Sequence, residues 1–139
     1  MLSIRPLLTA MTLQATAIPG RCCPVVELRQ YRLHPHKLDG FIPLFEREFI
    51  ETQEAVGMHI IGHFRDLDRP DVFVWLRGFD DMESRRRALD AFYGGPTWLA
   101  HRDEANATLI DSDDVLLLRP AGSDAALAHV LSARPTNVE

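Results

Sequence analysis

MHIIGHFRDLDRPDVFVWLRGF, residues Met58 to Phe79, carries two runs of β-forming residues on either side of a short polar turn, Leu67-Asp68-Arg69-Pro70. β-Branched and aromatic side chains favour an extended backbone, and a loop of about four residues folds one run back beside the other, so the stretch predicts an antiparallel hairpin. With Asp66 set against Asp71, Phe64 faces Phe73, Gly62 faces Trp75 and Ile60 faces Arg77. A glycine opposite a tryptophan leaves the indole room to lie over the neighbouring strand.

The segments on either side of the hairpin turn it into a fold. Upstream, VVELRQYRL (Val25 to Leu33) is a strand closed by His34-Pro35. Its period of two puts Glu27, Arg29 and Tyr31 on one face and Val26, Leu28 and Gln30 on the other. Pro35 suits the first turn of a helix. Leu38, Phe41, Ile42, Phe45 and Phe49 then recur at helical spacing as far as Gly57, with Pro43 expected to kink or loosen the preceding turn because it has no amide hydrogen. Downstream, Asp80 with Glu83 has the spacing of a capping box, and Met82, Leu89, Phe92 and Tyr93 form a helical stripe. Gly94 stands where a left-handed cap falls, and Pro96 opens a second short helix, about Thr97 to Ala107. VLLLR (Val115 to Arg119), after a polar stretch, suits a strand buried on both faces.

The order β-α-β-β-α-β predicts an α+β, ferredoxin-like fold with an antiparallel four-stranded sheet and helices over one face. Val26, Leu28, Val72, Val74, Leu76 and the VLLLR strand supply more apolar surface than one covered face can use. A second copy of the sheet is the simplest cover, which predicts a homodimer through the sheet faces, a dimeric α/β barrel.

The chain has 139 residues, 46% hydrophobic and 25% charged, with a formal charge of -5. This is one domain, residues 25–120, able to bury a core without disulfide or metal support. The acidic balance argues against nucleic acid and against an anionic membrane surface, since both demand a concentrated positive face. Arg85-Arg86-Arg87, preceded by Asp80, Asp81 and Glu83, reads as a solvated helix face. Cys22 and Cys23 are adjacent, so they offer neither a disulfide framework nor zinc-site spacing, and a reducing, cytoplasmic setting fits. No run approaches the roughly 18 apolar residues of a membrane span. Residues 1–24 have a faint signal-peptide character, broken by Thr9, Thr12 and Gln14, and read as an unstructured leader. Residues 121–139, with a weak Leu127, Val130, Leu131 stripe, read as a disordered tail or one short helix.

VVELRQYRLHPHKLDGFIPLFE (Val25–Glu46) resembles the ELRxYxLxPGK opening of the NIPSNAP family, and VFVWLRGFDDMESRRRALDAFYGGPTWLAHRDEANATLIDSDDVLLLRP (Val72–Pro120) resembles its remainder. The likeness spans Val25 to Pro120. It implies membership of the dimeric α+β barrel superfamily, whose members include cofactor-free quinone-forming monooxygenases, muconolactone isomerases and haem-binding proteins. Two departures fall at the rim: Pro35-His36-Lys37 stands for Pro-Gly-Lys, and Phe64-Arg65-Asp66-Leu67-Asp68 replaces a Gly-Pro-Leu-Asn-like segment.

Candidate chemistry concentrates on one sheet face. Gly94-Gly95-Pro96 follows a helix and is blocked by proline, so it reads as a corner and not a phosphate loop. His59 and His63 share a strand face but stand about 13 Å apart at strand rise, too far for one ion. No metal is expected, and no histidine stands out as a haem ligand, so no cofactor is expected either. Ser84, Ser112 and Ser123 lack a nucleophile elbow or an adjacent base. Arg29, Tyr31, Trp75 and Arg77, with His101 and Asn106 from the last helix, combine aromatic walls, fixed cations and an imidazole. That set suits a flat phenolic or acidic small molecule, with His101 as a proton acceptor. The same residues also suit a buried ion-pair network of Glu27, Arg29 and Arg77 with Trp75 as core, and a non-catalytic protein-interaction module remains the rival function.

Overall fold

The computed structural model describes residues 22–122. All of the expected leader but its last three residues, and the Leu127, Val130, Leu131 stripe, lie outside them. The chain order is β1 (Val25–Leu33), α1 (Leu38–Leu44), a π-helical turn (Phe45–Phe49), α2 (Ile50–Glu54), β2 (His59–Arg65), β3 (Val72–Phe79), α3 (Met82–Tyr93), α4 (Pro96–Thr108) and β4 (Leu109–Leu118). The sheet is antiparallel in the order β2-β3-β1-β4, which makes β1 and β3 central neighbours. Among the described residues no helix is long and apolar enough to cross a membrane.

β1 pairs with β3 so that Glu27 faces Arg77, Arg29 faces Trp75 and Tyr31 faces Phe73, all on the side covered by helices. The core lies there and is built largely of rings: six of the seven phenylalanines are buried, with Tyr31 and Trp75. Phe45 is its hub, with ring centroids 5.1 Å from Phe73 and 5.0 Å from Trp75, both nearly edge to face. Each such burial contributes on the order of 2–3 kcal/mol, and the edge-to-face geometry adds about 0.5–1.5 kcal/mol per pair.

The hairpin forms, in a different register. His63 faces Trp75, Phe64 faces Val74 and Arg65 faces Phe73, one residue off the expectation, while a bulge between Ile60 and Gly62 restores Ile60 opposite Arg77. The residue added by the bulge reverses the facing of everything beyond it. Gly62 therefore lies across from Leu76 on the outer face, and the side chain it makes room for is Phe64, whose Cζ would stand 2.9 Å from a Cβ there. His59 and His63, expected on one face, lie on opposite faces: His59 pairs with Gly78 and His63 with Trp75.

Other boundaries also moved. The first helix begins at Leu38 and not at Pro35, because His36 takes a left-handed φ of 64° in the turn before it. The run from Leu38 to Glu54 is not one α-helix with a loosened turn ahead of Pro43; the chain widens to π geometry after it, at Phe45–Phe49. Gly57, at φ 99°, ends the helical region where expected. α3 is capped by Asp81 and not Asp80, its carboxylate accepting from the Ser84 amide at 2.6 Å. Gly94 ends α3 with φ -89°, not in a left-handed cap. Its need for glycine is steric, since a Cβ there would stand 2.9 Å from the Asp90 carbonyl oxygen. Pro96 opens α4 as expected. β4 begins at Leu109, six residues before the expected Val115, and the leucines at 116–118 are exposed rather than buried on both faces, because β4 is an edge strand.

The turn at His36 yields a measurable consequence. A non-glycine residue in the left-handed region costs about 1–2 kcal/mol, partly offset because glycine loses more entropy on folding. His36→Gly is expected to raise stability by roughly 0.5–1 kcal/mol in urea unfolding with an unchanged slope. A loss of stability would show instead that the imidazole contributes more than its backbone costs.

Candidate functional site

Between the helix-facing side of the sheet and the helices lies a cavity of about 140 Å³. β1 supplies Arg29 and Tyr31, β3 supplies Trp75, the π-helical turn supplies Phe45 and Phe49, and α3 and α4 supply Tyr93, Trp98 and Asn106. Cavities near 150 Å³ hold a benzene-sized ring.

The π-helical turn shapes one wall. Phe45 and Phe49, four residues apart on one face of the turn, both reach the cavity, and side chains reinforce its carbonyls. The Gln53 amide donates to the Phe49 carbonyl at 2.7 Å, and the Thr52 hydroxyl donates to that of Glu48 at 2.6 Å. Gln53 is buried and turns its oxygen to Arg77 Nη1, 2.8 Å away.

Behind the cavity stands a buried charge network. The Glu27 carboxylate has no exposed surface and accepts from Arg77 Nε at 2.6 Å, Arg85 Nε at 2.7 Å and Arg29 Nη1 at 3.2 Å. Arg77 is equally buried, donates also to the Tyr93 hydroxyl at 3.1 Å, and lies 4.9 Å from the centre of the Trp75 ring. Burial works against ionisation of Glu27, but the charge and hydrogen bond of Arg77, with Arg29 and Arg85 behind them, outweigh it and hold the carboxyl below its ordinary value. Burial pushes the Tyr31 hydroxyl up, with Tyr93 adding to the effect against the two arginines, so Tyr31 stays neutral.

The residues singled out by sequence are only partly brought together. Arg29, Tyr31, Trp75 and Asn106 line the cavity. Arg77 does not; it lies behind Trp75 as the centre of the ion-pair network. His101 is also absent from the lining: it sits beside the Phe49 ring with Nε2 3.3 Å from Glu48 and Nδ1 3.5 Å from Glu104, half-buried on the outer side of α4. Gln53, Tyr93 and Arg85 were missed. Gln53 and Arg85 are polar residues on helices and read from sequence as solvent-facing, whereas Tyr93 belongs to the α3 stripe but nothing marks its hydroxyl as a partner of Arg77.

Two polar atoms of lining residues are buried without a hydrogen-bond partner among the described residues, Arg29 Nε and Trp75 Nε1. Cys22, Cys23 and His59 lie at the opposite face of the sheet. Gly78, having no side chain, admits Cys23 against β3, and one ligand atom each from Cys22, Cys23 and His59 lies within 4.8 Å of the others. Adjacent cysteines have no zinc-site spacing by themselves; strand pairing of His59 with Gly78 brings the third group, which also contacts Asp80 at 3.5 Å.

A four-stranded antiparallel sheet with this strand order and helices over one face makes the chain a ferredoxin-like α+β protein. The sequence model of the NIPSNAP family matches residues 26–123, and the chain belongs to that family. A NIPSNAP-like domain protein from Burkholderia xenovorans is 32% identical with a TM-score of 0.63, over 69% of this chain and 84% of that one. A NIPSNAP family protein from Agrobacterium tumefaciens is 21% identical with a TM-score of 0.64, over 70% of this chain and 87% of that one. An antibiotic biosynthesis monooxygenase shares the fold at 22% identity and a TM-score of 0.54, over 70% of this chain and 99% of that one. No curated protein matches the sequence.

Removing the Glu27 charge leaves Arg77 buried without a counter-charge, so Glu27→Gln is expected to cost about 3–5 kcal/mol in denaturant unfolding at pH 7. Because folding lowers the Glu27 pKa, its stabilisation is complete above the ordinary value of 4.5 and disappears as pH falls through the folded value. The gap between the parent and Glu27→Gln should therefore be constant from pH 5 upward and shrink below pH 4. A gap independent of pH down to acid unfolding would assign the loss to shape alone.

Proposed function

We propose that this NIPSNAP protein binds a small aromatic or carbonyl compound, of single-ring size, in the cavity between sheet and helices. The observation that carries the reading is a cavity of about 140 Å³ with aromatic walls and a guanidinium at its edge. Apolar walls supply affinity and a few fixed polar groups supply orientation, the usual division in small-molecule sites. The fold is shared with an antibiotic biosynthesis monooxygenase, which favours cofactor-free oxygenase or isomerase chemistry over metal chemistry as the activity to test. In such a reaction Arg29 stabilises the enolate or phenolate as charge develops on its oxygen. Among the described residues the lining holds no imidazole or free carboxylate, so a substrate proton leaves through a tyrosine hydroxyl or to water at the mouth.

The exposed outer sheet face supports a second element of the proposal, a homodimer. Leu116 and Leu118 of β4 pair with Leu28 and Val26 of β1, and Phe64, Val74 and Leu76 continue the apolar surface across the sheet. Leu116 is 50% exposed and Phe64 54% exposed in the single chain, a patch of the kind that marks an interface. The same face would serve a non-catalytic interaction module, and ligand binding separates the two.

Both tryptophans of the chain, Trp75 and Trp98, line the cavity, so occupancy reports directly in intrinsic fluorescence. Across a panel of phenols, benzaldehydes and 2-oxo acids, at least one compound is expected to quench that fluorescence and raise the melting temperature, since a ligand bound only by the folded state stabilises it. Silence across the panel would move the reading to the interaction module. Sedimentation at micromolar concentration is expected to return twice the 15.7 kDa chain mass, and Leu116→Glu, which adds a charge at an exposed position, is expected to return the chain mass without loss of secondary structure. A parent chain that already sediments as a monomer would remove the dimer.

A further inference from the structure

We propose that the occupant of the cavity is an anion, a small organic acid or enolate whose oxygen sits on the Arg29 guanidinium; this rests on the reading of the cavity as a ligand site and names the class of ligand. The argument is a count of buried charge. One carboxylate, Glu27, faces three guanidinium groups, those of Arg77, Arg85 and Arg29. Arginine stays protonated, so the cluster holds two positive charges more than negative ones. Arg77 makes the shortest contact with Glu27, and Arg85, about a quarter exposed, gives part of its charge to solvent. Arg29 is left with the longest of the three contacts, 3.2 Å, and a carbonyl contact to Ser112 at 3.4 Å, although only 14% of its side chain is exposed.

A cation with that little solvent and a shared counter-ion is costly unless something else neutralises it. The tyrosines beside it do not supply the charge: burial keeps the Tyr31 phenol neutral, and the Tyr93 hydroxyl already accepts from Arg77. Arg29 Nε and Trp75 Nε1 are buried, both belong to residues of the lining, and neither has a partner among the described residues. Arg29 is held against the wall, its guanidinium carbon 5.7 Å from the Tyr31 ring centre and 5.8 Å from that of Trp75. A surplus charge at one edge of an aromatic cavity is complementary to an oxygen anion on a flat body. The volume limits that body to one ring or a short 2-oxo acid.

The test uses the full chain and matched pairs that differ in charge but hardly in shape: benzoate with benzamide, and 2-furoate with 2-furamide, at pH 7 and constant ionic strength. Quenching of the two tryptophans is expected to give the carboxylate member roughly 10- to 100-fold tighter binding, the range for a charge-assisted hydrogen bond. Arg29→Met is expected to erase the preference and Arg29→Lys to retain part of it. Glu27 keeps Arg77 and Arg85 in the Arg29 variants, and melting curves establish that each variant is folded. Amides that bind as well as their acids, or a preference that survives Arg29→Met, overturn the anion while leaving the cavity a ligand site. Failure of both members of both pairs to bind overturns the anion together with the reading beneath it.

Discussion

The Glu27 carboxylate accepts hydrogen bonds from three guanidinium groups at a point sealed from water, and the helix-facing half of the molecule is arranged around it. It joins β1 to β3 through Arg77 and β1 to α3 through Arg85. Arg77 in turn fixes Gln53 of α2 and Tyr93 of α3. One buried charge thus sets the separation of sheet and helices on two sides. Removing either end of the Glu27–Arg77 pair strands the other in a medium that cannot solvate it, so the network forms as a unit. The cavity lies immediately in front of this unit, and its edge is the third guanidinium, Arg29.

The aromatic wall depends on a local irregularity and not on propensity. Pro43 lacks an amide hydrogen, and the π-helical turn that follows it lets Phe45 reach Phe73 and Trp75 while Phe49 reaches Trp98, 5.6 Å between centroids. Gln53 then links the wall to the charge network, bonding the Phe49 carbonyl with one end of its amide and Arg77 with the other. Ring packing and ion pairing are therefore mechanically coupled through one neutral side chain.

The two faces of the sheet have opposite characters. The helix-facing side is closed by rings and ions; the outer side shows leucines on β4, valines and leucines on the central strands, and Phe64 laid over Gly62. Among the described residues a single layer of helices covers only one face, and the apolar alternation on the outer side stays exposed. The chain belongs to the NIPSNAP family and shares its fold with an antibiotic biosynthesis monooxygenase, and a shared fold does not by itself assign a chemistry.

Alternation and punctuation in the sequence were enough for the class of fold. The faces of β1, the hairpin, the stop at Gly57, the opening of α4 at Pro96 and the central pairing of β1 with β3 are all consequences of period, propensity and turn chemistry acting over a few residues. They also place Arg29, Tyr31 and Trp75 on one face, and with Asn106 these do line the cavity. What short-range patterns do not contain is the extra residue at the β2 bulge, which turned Gly62 and Phe64 outward and His63 inward. Nor do they contain the direction of a long polar side chain on a helix. Gln53 and His101 look alike in sequence as polar helical residues, yet one is sealed in the network and the other faces two surface carboxylates. Only tertiary structure decided those, because a buried polar group is stable only where its partners, 24 positions away for Gln53 and Arg77 and 50 for Glu27 and Arg77, converge on it in space.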